Sequence, residues 1–168
     1  MIDADVYNED ANYDEQFWDV LDRQASGQHA LLVSKTKPND FGTPQFTVAM
    51  KTTTLTALPH TTDHVADKEV ANVFAGELAP QASLTVEKRT VVATSRDFAT
   101  EAELLARVDE LTTSLADQSF ADLLKAHEAE WQARWDKSDV KINGDEGAQQ
   151  GIRFNLFQLF STYYGNDY

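Results

Sequence analysis

Gly147-Ala148-Gln149-Gln150-Gly151-Ile152-Arg153-Phe154-Asn155-Leu156-Phe157-Gln158-Leu159-Phe160-Ser161-Thr162-Tyr163-Tyr164-Gly165 decides how this chain is read. Between Ala148 and Tyr164 the only charged residue is Arg153. Ile152, Leu156, Leu159, Phe160 and Tyr163 recur at helical spacing, and Phe154, Phe157 and Tyr164 carry the apolar character beyond that face. A helix that is apolar nearly all round belongs inside a larger protein, because no surface remains on it that prefers water. Only Gly165-Asn166-Asp167-Tyr168 follows. The expectation is therefore a chain that stops just inside a domain whose remainder is absent.

Immediately upstream, two amphipathic helices are legible. Thr100 precedes Glu101 and Glu103, a cap with acids in the first turn, where they complement the helix dipole. Leu104, Leu105, Val108, Leu111 and Leu115 then place a helix over Glu101 to about Ala116. Ser119 caps a second, with Leu123, Leu124, His127, Trp131 and Trp135 along one side and an end near Asp136-Lys137-Ser138. Val140-Lys141-Ile142 reads as a short extended piece before the Asn143–Gly147 turn.

Before Ala99 the signals are those of strands. Ala30–Lys35, Gln45–Thr52, Val70–Phe74 and Ser83–Thr94 are β-prone runs, with the turn cluster Pro38-Asn39-Asp40-Phe41-Gly42 between the first two. Phe17–Leu21 fits either a strand or a helical turn. The region is predicted to be antiparallel sheet.

Composition narrows the function. The 168 residues hold 28 Asp+Glu against 14 Lys+Arg, a formal charge of −14, which repels phosphate backbones and excludes nucleic acid and anionic membrane as expected partners. No apolar run approaches the ~20 residues of a membrane span, and Met1–Asp5 lacks the features of a signal peptide. The 42% hydrophobic and 10% aromatic content suffices for a packed core. With no cysteine there is no disulfide scaffold or thiolate metal site, and a reducing, cytoplasmic setting fits.

Candidate chemistry is thin. His60 and His64 stand at i and i+4, a zinc-chelating spacing on a helix, but Pro59 and the surrounding threonines predict an exposed loop, and sequence supplies no third ligand. His127-Glu128-Ala129-Glu130-Trp131 has Trp where H-E-x-x-H requires its second His. Trp131 and Trp135, one turn apart, suit either stacking on sugar rings or, the better reading, packing onto a neighbouring domain. Arg134 is expected to pair with Glu130. Asp3 with Asp5, or Asp145 with Glu146, would make a glycosidase acid and base only at a defined separation across a cleft, and solvated acidic loops are the default. No phosphate-binding glycine loop and no nucleophile motif is present. The site assignments are accordingly catalytic none, cofactor-binding none and metal none.

The Gly147–Gly165 stretch resembles the opening helix of the catalytic domain in glycoside hydrolase family 65, which includes phosphorylases of maltose, trehalose and kojibiose. His127-x-x-x-Trp131-x-x-x-Trp135 resembles that family's linker helix, and Ile2–Asn8 with Thr36-Lys37-Pro38 resembles strands and turns of its N-terminal sandwich. The resemblance runs end to end and is greatest to the maltose-cleaving members. It implies a mostly β then α chain: the later part of a galactose mutarotase-like β-supersandwich at 1–98, a helical linker at 99–144, and the truncated start of an (α/α)6 catalytic barrel at 145–168. For the intact enzyme it implies a cytoplasmic homodimer that cleaves a disaccharide by inverting phosphorolysis. Inorganic phosphate is the co-substrate, and no metal or organic cofactor takes part. The family's catalytic glutamate has no matching position here, so the chain alone is expected to be inactive. Arg153, Gln158 and Tyr164 are near the implied barrel mouth, with buried helix packing the preferred role for all three. The rival readings are a kojibiose or trehalose phosphorylase, a hydrolase of the same family, or a free-standing carbohydrate-binding β-module.

Overall fold

The computed structural model describes residues 2–3, 17–38 and 42–162. Seven strands are followed by three helices: β1 (Ile2–Asp3), β2 (Trp18–Ser26), β3 (His29–Thr36), β4 (Thr47–Thr56), β5 (His60–Val65), β6 (Glu69–Phe74), β7 (Val86–Thr94), α1 (Glu101–Ala116), α2 (Phe120–Ser138) and α3 (Glu146–Thr162). The chain is mostly sheet, then helices, as the sequence predicts. It divides into two compact units, Met1–Asp117 and Gln118–Tyr168.

In the first unit, a four-stranded sheet in the order β2-β3-β4-β7 lies beside a three-stranded sheet in the order β1-β6-β5, all pairs antiparallel. Phe17–Leu21, ambiguous by sequence, enters β2. A two-residue turn joins β2 to β3, and Gly27 takes φ +60° there, as the first central residue of a II′-type hairpin turn requires. β3 is buried on both faces because it is central. Its Ala30 and Leu32 meet Val70 of β6, while Val33 on the other face joins Ala49, Val91, Leu104 and Val108. The four-stranded sheet is thus covered on one face by the smaller sheet and on the other by α1.

Helix α1 keeps the predicted bounds, and Thr100 forms a full capping box with Glu103. Leu104 and Val108 are fully buried against the sheet. The last turn of α1 carries no cation of its own. Arg89, reaching from β7 and paired with Glu87 at 2.6 Å, donates instead to the Leu115 carbonyl.

Strand boundaries shift, and β4 runs on to Thr56 where the expected run ends at Thr52. The strand expected from Ser83 begins at Val86, and the one expected from Gln45 begins at Thr47, where ladder pairing starts. The Pro38–Gly42 turn has its centre, residues 39–41, outside the described residues, as are the side chains of Ile2–Asn8.

The second unit is α2 and α3. Ser119 and Asp122 form the predicted cap of α2. Helix α3 starts two residues earlier than expected because Asp145 caps it, its Oδ1 accepting the Ala148 N–H at 2.9 Å. Gly144, at φ +91°, makes the turn that precedes it.

Candidate functional site

His60 and His64, expected in an exposed loop, are on an exposed strand instead. β5 pairs antiparallel with β6, with a register shift between His60 and Thr62, and Pro59 stands just before it, where a missing N–H costs the ladder nothing. Four residues along a strand span roughly 13 Å, so i and i+4 cannot share one ion as they do on a helix. The side chains find separate partners: His60 Nε2 lies 2.7 Å from Asp63 and His64 Nε2 3.6 Å from Glu69. Among the described residues no group of three metal-ligating side chains converges.

Asp63 is the hub of this region. Its Oδ1 accepts from Asn72 Nδ2 at 2.7 Å, and its Oδ2 faces the Gly27 N–H at 3.3 Å. The Asn72 amide, followed by the His60 ring and the Gly27 N–H, holds the carboxyl below the usual range against the desolvation that opposes it. Asn72 also donates to the His29 carbonyl at 3.1 Å. The cluster therefore clasps the smaller sheet to the β2–β3 turn of the larger one. Nothing in it presents a nucleophile.

In the helical unit, Trp131 and Trp135 pack on α3. The Trp131 ring centroid is 5.3 Å from Phe157, and Trp135 meets Phe160 edge-on at 5.8 Å. Packing is thus the role seen, within the helix pair itself. Arg134 pairs with Glu130 at 3.2 Å, as the i,i+4 spacing predicts.

Arg153 differs from expectation. Instead of packing as a buried helix residue it is half exposed and grips Asp139, at the C-terminal cap of α2, through two bonds of 2.8 and 2.7 Å. The bidentate hydrogen bond, reinforced by the opposite charge, pushes the Asp139 carboxyl below its usual range and the guanidinium above its own. Gln149 completes the junction. Its Oε1 accepts the Ile142 N–H at 2.7 Å and its Nε2 donates to the Val140 carbonyl at 2.8 Å, so one amide serves as strand partner to the extended Val140–Ile142 piece. Neither contact has a short-range sequence signal, since each partner lies seven or more residues away.

Gln158 is exposed, and Tyr164 lies outside the described residues. Asp145 serves as a helix cap rather than as one of an acid–base pair, and the side chains of Asp3 and Asp5 lie outside the described residues. Helix α3 buries no residue fully, and Phe154, Phe157 and Leu159 are 59%, 43% and 64% exposed. Leu159, placed on the covered face by spacing, points to water. No helix among the described residues is long and apolar enough to cross a membrane.

No catalytic constellation is assembled by these residues, so relatives carry the functional question. The family model for the glycosyl hydrolase family 65 N-terminal domain matches residues 1–134. The chain belongs to glycoside hydrolase family 65. It is 41% identical over 169 aligned residues, 99% of its length, to the maltose phosphorylase of Bacillus subtilis (strain 168), of which it covers 21%. It is 36% identical over 90 residues, 53% of the chain and 11% of the relative, to a kojibiose phosphorylase of Caldanaerobacter subterraneus subsp. tengcongensis. A solved structure from human microbiome, provisionally assigned as a kojibiose phosphorylase, superposes with a TM-score of 0.78 at 21% identity, covering 99% of this chain and 21% of that one. The fold is therefore one seen in a solved protein. The chain spans about a fifth of the length of the full-chain matches.

Proposed function

We propose that this chain is the structural section of a disaccharide phosphorylase that cleaves maltose with inorganic phosphate. The reading rests on one observation above all, the 41% identity to a maltose phosphorylase along 99% of the chain. On this proposal residues 1–98 form the later part of a mutarotase-like supersandwich, residues 99–144 the linker, and residues 145–168 the start of an (α/α)6 barrel. The exposed Phe154 and Leu159 of α3 suit a helix that the remaining barrel would cover.

The reaction is an inverting displacement. A carboxylic acid protonates the glycosidic oxygen while phosphate attacks the anomeric carbon from the opposite face, in the place of the base-activated water of an inverting hydrolase. Maltose and phosphate then give β-glucose 1-phosphate and glucose. No residue of this chain is assigned to the proton transfer, and the chemistry calls for no metal or organic cofactor. The proposed enzyme is a cytoplasmic homodimer.

The test is expression of the complete reading frame and assay of maltose, kojibiose and trehalose with and without phosphate. Phosphate-dependent release of β-glucose 1-phosphate from maltose supports the proposal. Equal cleavage without phosphate, or turnover of kojibiose or trehalose alone, overturns it in favour of a hydrolase or another phosphorylase. The isolated 168-residue chain is expected to show no turnover, and turnover by it would refute its structural role.

A further inference from the structure

Strand register creates a polar trench where α1 leaves the sheet. On the face that α1 covers, one cross-strand row reads Val33, Ala49 and Ala93, and it is core. Two rungs further along the same face, the row reads Ser26, His29, Thr53 and Arg89, polar on all four strands. The rung between them mixes both kinds, with Gln24 and Lys51 flanking Leu31, and Val91 beyond. A sheet face under a helix is normally filled with apolar side chains; here Arg89 serves the C-terminus of α1, and His29 Nδ1 lies 3.0 Å from Thr53 Oγ1.

The space is open. Two adjoining hollows of about 340 and about 310 Å3 share His29 and Lys51. Lys51 spans from sheet to helix, its Nζ 2.6 Å from Asp109 of α1, and stands between them. One hollow offers Asp22, Gln24 and Ser26, and the other offers Thr53, Arg89 and Thr113. Leu105 in the first and Leu55 in the second supply apolar wall. Acids and bases are present in equal measure, Asp22 and Asp109 against Lys51 and Arg89, which disfavours a strongly charged ligand of either sign. Directional donors and acceptors above apolar patches match a neutral polyhydroxylated ring, whose hydroxyls lie around its rim and whose C–H groups form its faces.

We propose that this trench is a non-catalytic binding site for a neutral disaccharide, one ring in each hollow and His29 and Lys51 at the linkage between them. The choice of a saccharide among neutral polyols rests on the phosphorylase reading above; the trench itself does not. The two hollows have no Phe, Tyr or Trp in their lining to stack on a sugar ring, so binding is expected in the millimolar range.

The test is titration of maltose into the isotopically labelled 168-residue chain, with glucose 1-phosphate and xylitol as separate arms. The expected result is saturable shifts of the Gln24, His29 and Lys51 resonances by maltose, weaker for xylitol and no stronger for glucose 1-phosphate. Gln24→Ala and Ser26→Ala, both exposed edge-strand changes that leave the core untouched, should weaken maltose binding about fivefold to tenfold with melting temperature unchanged. Absence of saturable shifts, shifts confined to α2 and α3, indifference to both substitutions, or tighter binding of the phosphorylated sugar would each overturn the proposal. Failure of phosphorolysis in the full enzyme would leave these outcomes readable, because none of them depends on turnover.

Discussion

Truncating Leu104 to alanine should cost the first unit more than any other single aliphatic truncation on α1. Leu104 is fully buried and packs with Val33, Ala49, Val91 and Val108. The change deletes three carbons, worth about 2.4 kcal/mol at ~0.8 kcal/mol per buried methylene. A cavity term adds to this, since β3 and β4 are held by ladders on both sides and cannot collapse inward, which brings the cost to about 3–4 kcal/mol. For a unit of this size that corresponds to a fall of more than ~10 °C in melting temperature. The assay is urea unfolding followed by a probe in the first unit, comparing midpoints at constant slope. Val92→Ala is the control: its neighbour Val91 is core, but Val92 itself is 56% exposed, and its cost should stay below about 1 kcal/mol. A Leu104→Ala cost below ~1 kcal/mol, or a Val92→Ala cost as large, would refute the placement of the core between α1 and the sheet.

Other outcomes follow from single contacts. Thr100→Ala removes the capping box and should destabilise the first unit by about 1 kcal/mol, with Thr100→Ser close to neutral in the same unfolding assay. Arg153→Lys keeps the charge but loses the two-pronged grip on Asp139, so amide exchange across residues 139–149 should quicken, nearly as much as in Arg153→Ala. The carboxyls of Asp63, Asp122 and Asp139 titrate below their ordinary value of 3.8 in the folded chain. Their contribution to stability is therefore complete above that pH and lost as pH falls through the lower folded values, and Asp63→Asn should flatten that part of an acid-unfolding curve. Zinc added to the chain should leave its melting temperature unchanged, and a rise abolished by His60→Ala or His64→Ala would contradict the strand geometry.

The helices were readable because their signals are local. Thr100 with Glu103, and Ser119 with Asp122, are each three residues apart, and the apolar stripe of α1 repeats within one turn, so the residues that fix the boundaries are present in any short window. β3, β4 and β7 of the larger sheet were readable because their β-prone runs are continuous in the sequence, whereas Phe17–Leu21 becomes strand β2 only when β3 supplies its ladder. The His60–Val65 segment was not, because polar threonines and histidines become a strand only when β6 supplies the ladder.

By itself, then, the sequence determined the order of sheet and helices, the caps of α1 and α2, the family and the apolar excess of α3. Tertiary structure alone decided what lies across from what. Asp63 reaches Gly27 across 36 residues, Arg89 reaches Leu115 across 26, and Arg153 reaches Asp139 across 14. The polar row Ser26, His29, Thr53 and Arg89 exists only through strand register. Pairing between distant residues is set by which faces can be buried together, a property of the whole packed chain that no local window carries.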